Sequence, residues 1–379
     1  MKKQSICIVT SIHPDFDSRI WKHARGLAAA GFDVHLICPW NVPDGYIRDG
    51  VRFHPFLPVS RRLARPFIIP VRISRKLLRV VRSIDIIHFH DIDIVPFMTL
   101  LSFFKRVVYD VHENYPDEMM MRYYIPNSLR RVLRDAVYWG QFICSMKIRN
   151  IVLVAPSCDS GFTNPHLRKV YVGNLASLEL LKTVAPDYEC RKPAVIFTGS
   201  QYLDNGTLLY LEIAEQCKDV IPDVPFYMTD RFADQEFRQQ VLNLIKSRGL
   251  SNVQFLPNVI PHELMQMLNR ATIGVLPSLR VPKQIKALRT KLFEYLAAGL
   301  PIVASDLPYE ITIIGENDCG ILAQPEKPQS FADAIIKLTR DRALAARLGK
   351  NGQRAFIEKY SWEGELPKLL AFYDRILQN

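Results

Sequence analysis

The sequence has no apolar run approaching the ~18–20 residues of a transmembrane helix, so no membrane span is expected. After Met1-Lys2-Lys3 only about seven largely apolar residues precede His13, too short a run for a signal segment, and their β-branching fits a first strand. Cysteine is sparse and unpatterned: 7 residues, an odd number, with no Cys-x-x-Cys. That excludes a disulfide framework and points to a reducing cytoplasm. Acidic residues are in deficit, 38 against 49 lysines and arginines, for a formal net charge of +11. No zinc-finger, RNA-recognition or helix-turn-helix signature accompanies that charge, so nucleic acid is not an expected partner. Anionic substrates and an anionic membrane surface remain.

At 379 residues the chain is long enough for two domains, and an apolar content of 48% is that of an ordinary globular protein. The most informative stretch is Arg289 to Ser305, RTKLFEYLAAGLPIVAS. Leu292, Phe293, Tyr295, Leu296, Ala297 and Ala298 predict a short helix buried nearly all round. Gly299 suits the position just past a helix end, and Pro301 prevents resumption. Ile302 to Ala304 then read as a buried strand. Lys291 and Glu294 are the two charges on this helix, three residues apart near its N-terminus. Free N–H groups and the macrodipole attract anions there. Phosphates on Lys291 and a ribose on Glu294 would suit a nucleotide diphosphate. The same spacing also suits a plain ion pair, which would contribute about 0.2–0.5 kcal/mol.

Taken in order, Ser5 to Thr10 predicts a buried strand, Ser18 to Ala30 a helix N-capped by Ser18, and Asp33 to Cys38 a second strand. This is the opening of a parallel α/β domain. Arg61 to Arg82 holds eight arginines and lysines and no acid. From Phe67 it predicts an amphipathic helix with Arg72, Arg75, Lys76 and Arg79 on one stripe, and Ile73, Leu77 and Val80 on another. The expected alternatives are a solvated face or a patch for an anionic membrane, extended by Arg130, Arg131 and Arg134. Ile84 to His90 is a strand with His88 and His90 on one face and Asp91 and Asp93 at its end. Val107 to Asp110 is a strand that leads into His112 and Glu113. Further strands are expected at Ile151 to Ala155 and from Val170. The first domain should close near residue 175, and Ala194 to Gly199 should open the second. Strands at Pro225 to Thr229, Val253 to Leu256, Thr272 to Leu276 and Gly320 to Leu322 complete it, before a terminal helix Trp362 to Leu377.

The strand end Ile273-Gly274-Val275-Leu276-Pro277-Ser278, the helix Lys291-Leu292-Phe293-Glu294-Tyr295 and the turn Ala298-Gly299-Leu300-Pro301 together resemble the donor-binding segment of family 4 glycosyltransferases. These are retaining enzymes of the GT-B fold. The resemblance implies an α/β chain of two Rossmann-like domains facing across a cleft: an acceptor domain at 1–175, a donor domain at 186–360, and a helix at 361–379 that crosses back. It implies donor binding by Lys291, Glu294, Gly199, Ser200, Arg289 and Asn258, with His112 and Glu113 as catalytic residues. His112 would bond a sugar hydroxyl or stabilise charge as the glycosidic bond breaks. His13 and Arg19 either face the cleft or form a structural ion pair at a helix start. No cofactor or metal is implied. His88, His90, Asp91 and Asp93 can be drawn as a metal set, but relatives carry a polar strand end there without one.

Two departures stand out. Relatives often carry two glutamates separated by seven residues; Glu294 would be the second, and Lys286 occupies the place of the first. The loop Gln201 to Gly206 carries neither the Arg nor the Lys that clamp the diphosphate in relatives. Arg280, Lys283, Lys286 or Arg289 would have to supply that charge. The expected function is therefore transfer of a sugar from a nucleotide sugar to a hydroxyl of a glycan or lipid-linked acceptor, in surface polysaccharide biosynthesis, by a cytoplasmic protein peripheral to the inner face of the cell membrane. The rival readings are a non-catalytic nucleotide-sugar-binding partner and a sugar-nucleotide epimerase of the same fold.

Overall fold

The computed structural model describes residues 3–13, 17–59, 64–120, 125–184, 188–232, 234–257 and 263–378. The chain divides into two units, Met1–Asn174 with Glu365–Asn379, and Leu175–Gly364. Each is an α/β unit on a predominantly parallel sheet. Among the described residues, no helix is long and apolar enough to cross a membrane.

In the first unit the strands are β1 (Ser5–Val9), β2 (Asp33–Ile37), β3 (Ile47–Arg48), β4 (Val51–Phe53), β5 (Ile86–Phe89), β6 (Arg106–Val111), β7 (Asn150–Leu153) and β8 (Arg168–Tyr171). Their spatial order is β3-β4-β2-β1-β5-β6-β7-β8. β1 and β5 are buried along their whole length, as a parallel strand covered on both faces is, with Ser5 and His88 their polar members. They pair in parallel, Ile6 against Ile86. The strand order reverses between them, so the loops after β1 and β5 meet where α/β sheets bind ligands. The hairpin of β3 and β4 turns on Asp49 and Gly50, both at positive φ, 48° and 78°. A two-residue hairpin turn needs that backbone.

The helix Ser18–Ala29 is capped by Asp17 rather than by Ser18. Asp17 Oδ1 accepts hydrogen bonds from the backbone N–H of Arg19 at 3.0 Å and of Ile20 at 3.4 Å, which satisfies donors that would otherwise lack an intrahelical partner. The face turned inward is Ile20, His23, Ala24 and Leu27, a helical period with one polar member.

The helix Arg65–Val80 buries Ile69, Ile73 and Leu77. Its expected cationic stripe is largely engaged within the protein. Arg72 donates to the carbonyls of Leu57 and Pro58, and Lys76 and Arg79 both pair with Asp44. Arg75 is exposed and makes no ion pair among the described residues. Beside it, at helical spacing, stand the exposed Phe67, Val71 and Leu78. The terminal helix Trp362–Leu377 buries Leu369, Phe372, Tyr373 and Ile376. Glu365 accepts a hydrogen bond from the Gly173 N–H at 2.8 Å.

The second unit contains β9 (Val195–Phe197), β10 (Phe226–Thr229), β11 (Val253–Leu256), β12 (Ile273–Leu276), β13 (Ile302–Ser305) and β14 (Gly320–Ala323). The order is β11-β10-β9-β12-β13-β14, all parallel, with its own reversal between β9 and β12. The short helix Thr290–Ala297 lies against this sheet with Leu292, Phe293, Tyr295, Leu296 and Ala297 buried. It ends as the sequence predicts. Gly299 has φ +66°, its N–H bonds Leu296 O at 3.0 Å, and Leu300 N–H bonds Tyr295 O at 3.1 Å. This pair of bonds satisfies two terminal carbonyls.

Candidate active site

In the second unit, the residues of interest gather at the C-terminal end of β9, beside the strand reversal. Two bonds fix the helix Thr290–Ala297 to that strand end. Thr198 N–H donates to Tyr295 Oη at 2.9 Å, and the two hydroxyls of Thr198 and Tyr295 lie 3.1 Å apart. Lys291, in the first turn of the helix, is thereby carried over β9, with its Nζ 4.8 Å from the centroid of Phe197. Gly199 makes room for it. Gly199 has φ +88°, and a Cβ there would lie 2.2 Å from Lys291 Cε. The loop beyond, which includes Ser200, is braced from across the reversal. Leu279 N–H donates to Asp204 O at 3.0 Å, and Gln284 Nε2 donates to Asp204 Oδ2 at 3.1 Å. At Gly206 the backbone passes so close that a Cβ would lie 1.6 Å from Pro277 O.

Among the described residues the Lys291 ammonium makes no hydrogen bond or ion pair. Burial, reinforced by the nearby charges of Arg289 and Arg231 and opposed by Glu294 and Asp204, pulls its pKa down to about 8. The cation is held at a cost in solvation, at the start of a helix whose N-cap makes no side-chain bond, an arrangement that favours negative charge. Glu294 lies three residues further along the same helix.

Arg289 is placed otherwise than expected. Its guanidinium pairs with the buried Glu310 and donates to Gln284 O at 2.7 Å and Gln284 Oε1 at 3.0 Å. It is a buttress of the loop before the helix, because a buried carboxylate needs a partner more than a solvated phosphate does. Arg280 is likewise engaged, with Asp306 at 2.6 Å and Glu326 at 2.9 Å. The cation that sequence reasoning missed is Arg231. It follows β10, is exposed, and acts electrostatically on Lys291. Asn258 lies outside the described residues.

The first unit holds a knot of polar side chains at its own strand reversal. Asp91, just after β5, accepts from Thr10 Oγ1 at 2.8 Å and from Ser11 N–H at 2.6 Å. Asp93 accepts from Ser11 Oγ at 2.6 Å. His13 sits between two carboxylates, with Nδ1 2.8 Å from Asp17 and Nε2 3.3 Å from Asp91. Burial alone would lower its pKa. The hydrogen bonds and charges of Asp17 and Asp91 outweigh that and raise it to about 9. His13 is an imidazolium in an ion pair that fastens the helix start. Arg19 leaves its buried Nε without a hydrogen-bond partner among the described residues.

His112 projects just beyond β6. Its ring stacks on His90, with centroids 5.1 Å apart and planes 13° apart. Its Nε2 is hydrogen-bonded to His90 Nδ1 at 2.8 Å and lies 3.3 Å from Asp110 Oδ1. Burial, with Arg19 nearby, holds its pKa well below the ordinary value, so the ring is neutral. Its Nδ1 is buried with no hydrogen-bond partner among the described residues. Glu113, next to it, is exposed. His88, His90, Asp91 and Asp93 do not form one cluster. The aspartates turn to the β1 loop, while the histidines meet His23 and Asp110.

Two units of predominantly parallel α/β structure, each with charged and polar side chains gathered at its strand reversal, match the GT-B fold. Sucrose-phosphate synthase from Thermosynechococcus elongatus superposes with a TM-score of 0.76 at 17% identity, covering 99% of this chain and 100% of that one. HepE from Anabaena, solved in complex with UDP and glucose, gives 0.72 at 12% identity, covering 98% and 100%. The profile "Glycosyltransferase Family 4" matches residues 18–155, and "Glycosyl transferases group 1" matches residues 189–355. Between them the two profiles fall on both units, and the chain is similar to the family 4 glycosyltransferases. In sequence, alpha-D-kanosaminyltransferase from Streptomyces kanamyceticus is 25% identical over 186 residues, 49% of this chain and 46% of that protein. The match to the MMP alpha-(1->4)-mannosyltransferase of Mycolicibacterium hassiacum is 26% over 136 residues, 35% and 32%. The matched stretches thus span less than half the length of these relatives.

Proposed function

We propose that this protein moves a sugar from a nucleotide-sugar donor to a hydroxyl of a glycan or lipid-linked glycan, with retention of configuration, in surface polysaccharide biosynthesis. The observation that carries the reading is the Lys291 ammonium, unpaired at a helix start and desolvated beside Gly199. A donor diphosphate would restore its lost solvation. Lys291, the helix N-terminus and Arg231 meet the phosphates, and Glu294 accepts from ribose hydroxyls. In the transfer, the bond between the anomeric carbon and the phosphate oxygen breaks, and the acceptor oxygen bonds that carbon. The acceptor's proton passes to the departing phosphate. The cations stabilise the charge developing on the leaving group, with no metal ion called for. His112 offers a neutral imidazole to a sugar hydroxyl, and Glu113 is its proposed companion. HepE, whose solved complexes contain UDP and glucose, supports a nucleotide sugar as the ligand class. The exposed stripe Phe67, Val71, Arg75 and Leu78 is proposed to rest on the anionic inner face of the cell membrane.

Titration calorimetry with UDP, GDP, ADP and dTDP tests the donor site. Selective binding of one of them, weakened in Lys291→Ala, is the expected result. No binding by any of the four would overturn the assignment. The absence of Arg and Lys from Gln201 to Gly206 favours a second reading, a nucleotide-sugar-binding partner without catalysis. Sugar release from the matched donor on adding acceptor separates the two readings, and conversion of the donor alone would indicate an epimerase.

A further inference from the structure

His23, His88, His90 and Asp110 come from a helix and two adjacent strands and converge at one buried point. The side chains are 4%, 1%, 0% and 1% exposed. One ligand atom from each lies within 4.8 Å of all the others. Asp110 Oδ2 is the common vertex: His88 Nε2 is 3.1 Å from it, His90 Nδ1 3.5 Å and His23 Nδ1 3.6 Å. Two of these separations are too long for good hydrogen bonds, which close to about 2.7–3.2 Å. All three bracket the ~3.3 Å edge of a tetrahedron whose metal–ligand bonds are about 2.05 Å.

The surroundings also fit. The far nitrogen of His88, Nδ1, is hydrogen-bonded to the buried Tyr373 hydroxyl, the kind of outer partner that fixes the orientation of a metal-bound imidazole. His90 has Nδ1 toward Asp110, and its Nε2 is buried without a hydrogen-bond partner among the described residues. Asp110 Oδ1 remains available to His112 Nε2 at 3.3 Å.

We propose that His23, His88, His90 and Asp110 bind one zinc ion. Three imidazoles and one carboxylate suit a first-row transition metal over calcium or magnesium, which take oxygen ligands. Four protein ligands leave no open position, so the ion is structural. It ties the helix Ser18–Ala29 to β5 and β6. On binding, His90 Nδ1 leaves its hydrogen bond to His112, and Asp110 bridges the ion and His112. The metal thus sets the orientation of that ring from behind.

The test uses the full chain without a polyhistidine tag, purified without chelator. Elemental analysis is expected to find about one zinc per chain, and cobalt exchange to give the intense visible absorption of a tetrahedral site. His23→Gln, on the helix surface of the cluster, should retain less than about a tenth of that zinc, whereas His112→Ala retains it. Zinc below about a tenth per chain after incubation with zinc chloride and dialysis, with no cobalt band and no rise in Tm on adding zinc, would overturn the proposal. So would a His23→Gln variant that keeps the full complement.

Discussion

Gly199 and Lys291 are fitted to one another: the missing side chain of the first is the space filled by the stem of the second. Both the positive φ at residue 199 and the closeness of the lysine exclude a Cβ. Gly199→Ala should cost about 1–2 kcal/mol of backbone strain and swing the ammonium away from its post. The expected result is a Tm lower by several degrees and a nucleotide diphosphate affinity reduced about tenfold or more. Unchanged calorimetric affinity would show that the position of Lys291 is immaterial to the ligand.

Lys291 also predicts a pH dependence. Its folded pKa of about 8 lies below its ordinary value of 10.5. Below pH 8 both folded and unfolded chains carry the proton. Between about 8 and 10.5 the unfolded chain holds more of it, so this group makes stability rise with pH across that window. Diphosphate binding runs the opposite way, since it needs the ammonium, and should weaken above pH 8. Lys291→Met should bind weakly and lose this pH dependence. Isotherms at pH 7 and pH 9 for both proteins decide it.

Arg231 and Arg289 should separate in their effects. Arg231→Ala removes an exposed cation beside Lys291, so nucleotide affinity should fall about five- to thirtyfold with Tm nearly unchanged. Arg289→Ala leaves Glu310 buried and unpaired, a loss of about 3–5 kcal/mol, seen first as a lowered denaturant midpoint. Paired calorimetry and unfolding would show whether the two roles have been exchanged.

His13 and Asp17 form a pair with two pH limits. The raised pKa of His13, about 9 against 6.5, gives stability that is complete below 6.5 and fades as pH rises through 9. Asp17, lowered to about 2 from 3.8, contributes fully above 3.8 and is lost as pH falls through 2. Asp17→Ala removes both the partner and the helix cap, with an expected cost of about 1–2 kcal/mol at pH 7. The difference between wild type and variant in urea unfolding should narrow above pH 9.

The membrane reading rests on Arg75 and its apolar neighbours rather than on the whole arginine stripe. Phe67→Ser with Leu78→Ser should abolish sedimentation with vesicles rich in phosphatidylglycerol, and Lys76→Ala should have little effect because Lys76 is occupied by Asp44. Equal loss in both variants would restore the wider patch.

Legibility in the sequence followed the range of the interaction. The strands and the helix Thr290–Ala297 are written in local apolar runs and in Gly299 and Pro301, so their positions emerge within a residue or two. The hairpin at Asp49-Gly50 has its signal in a turn dipeptide. The histidine cluster has no such signal. His23, His88, Asp110 and Tyr373 are brought together only by the winding of the sheet, although His23 on an otherwise apolar helical face was a clue. Arg231 was invisible for another reason, since an exposed arginine after a strand looks like any solvated charge until the strand order places it near Lys291.

The first unit draws on two stretches of chain, and Tyr373, bonded to His88, belongs to the later one. During synthesis the early stretch therefore leaves the ribosome without its complete interior. It must persist, part-assembled, while some 190 intervening residues emerge. The second unit, a single uninterrupted segment, is free to finish first.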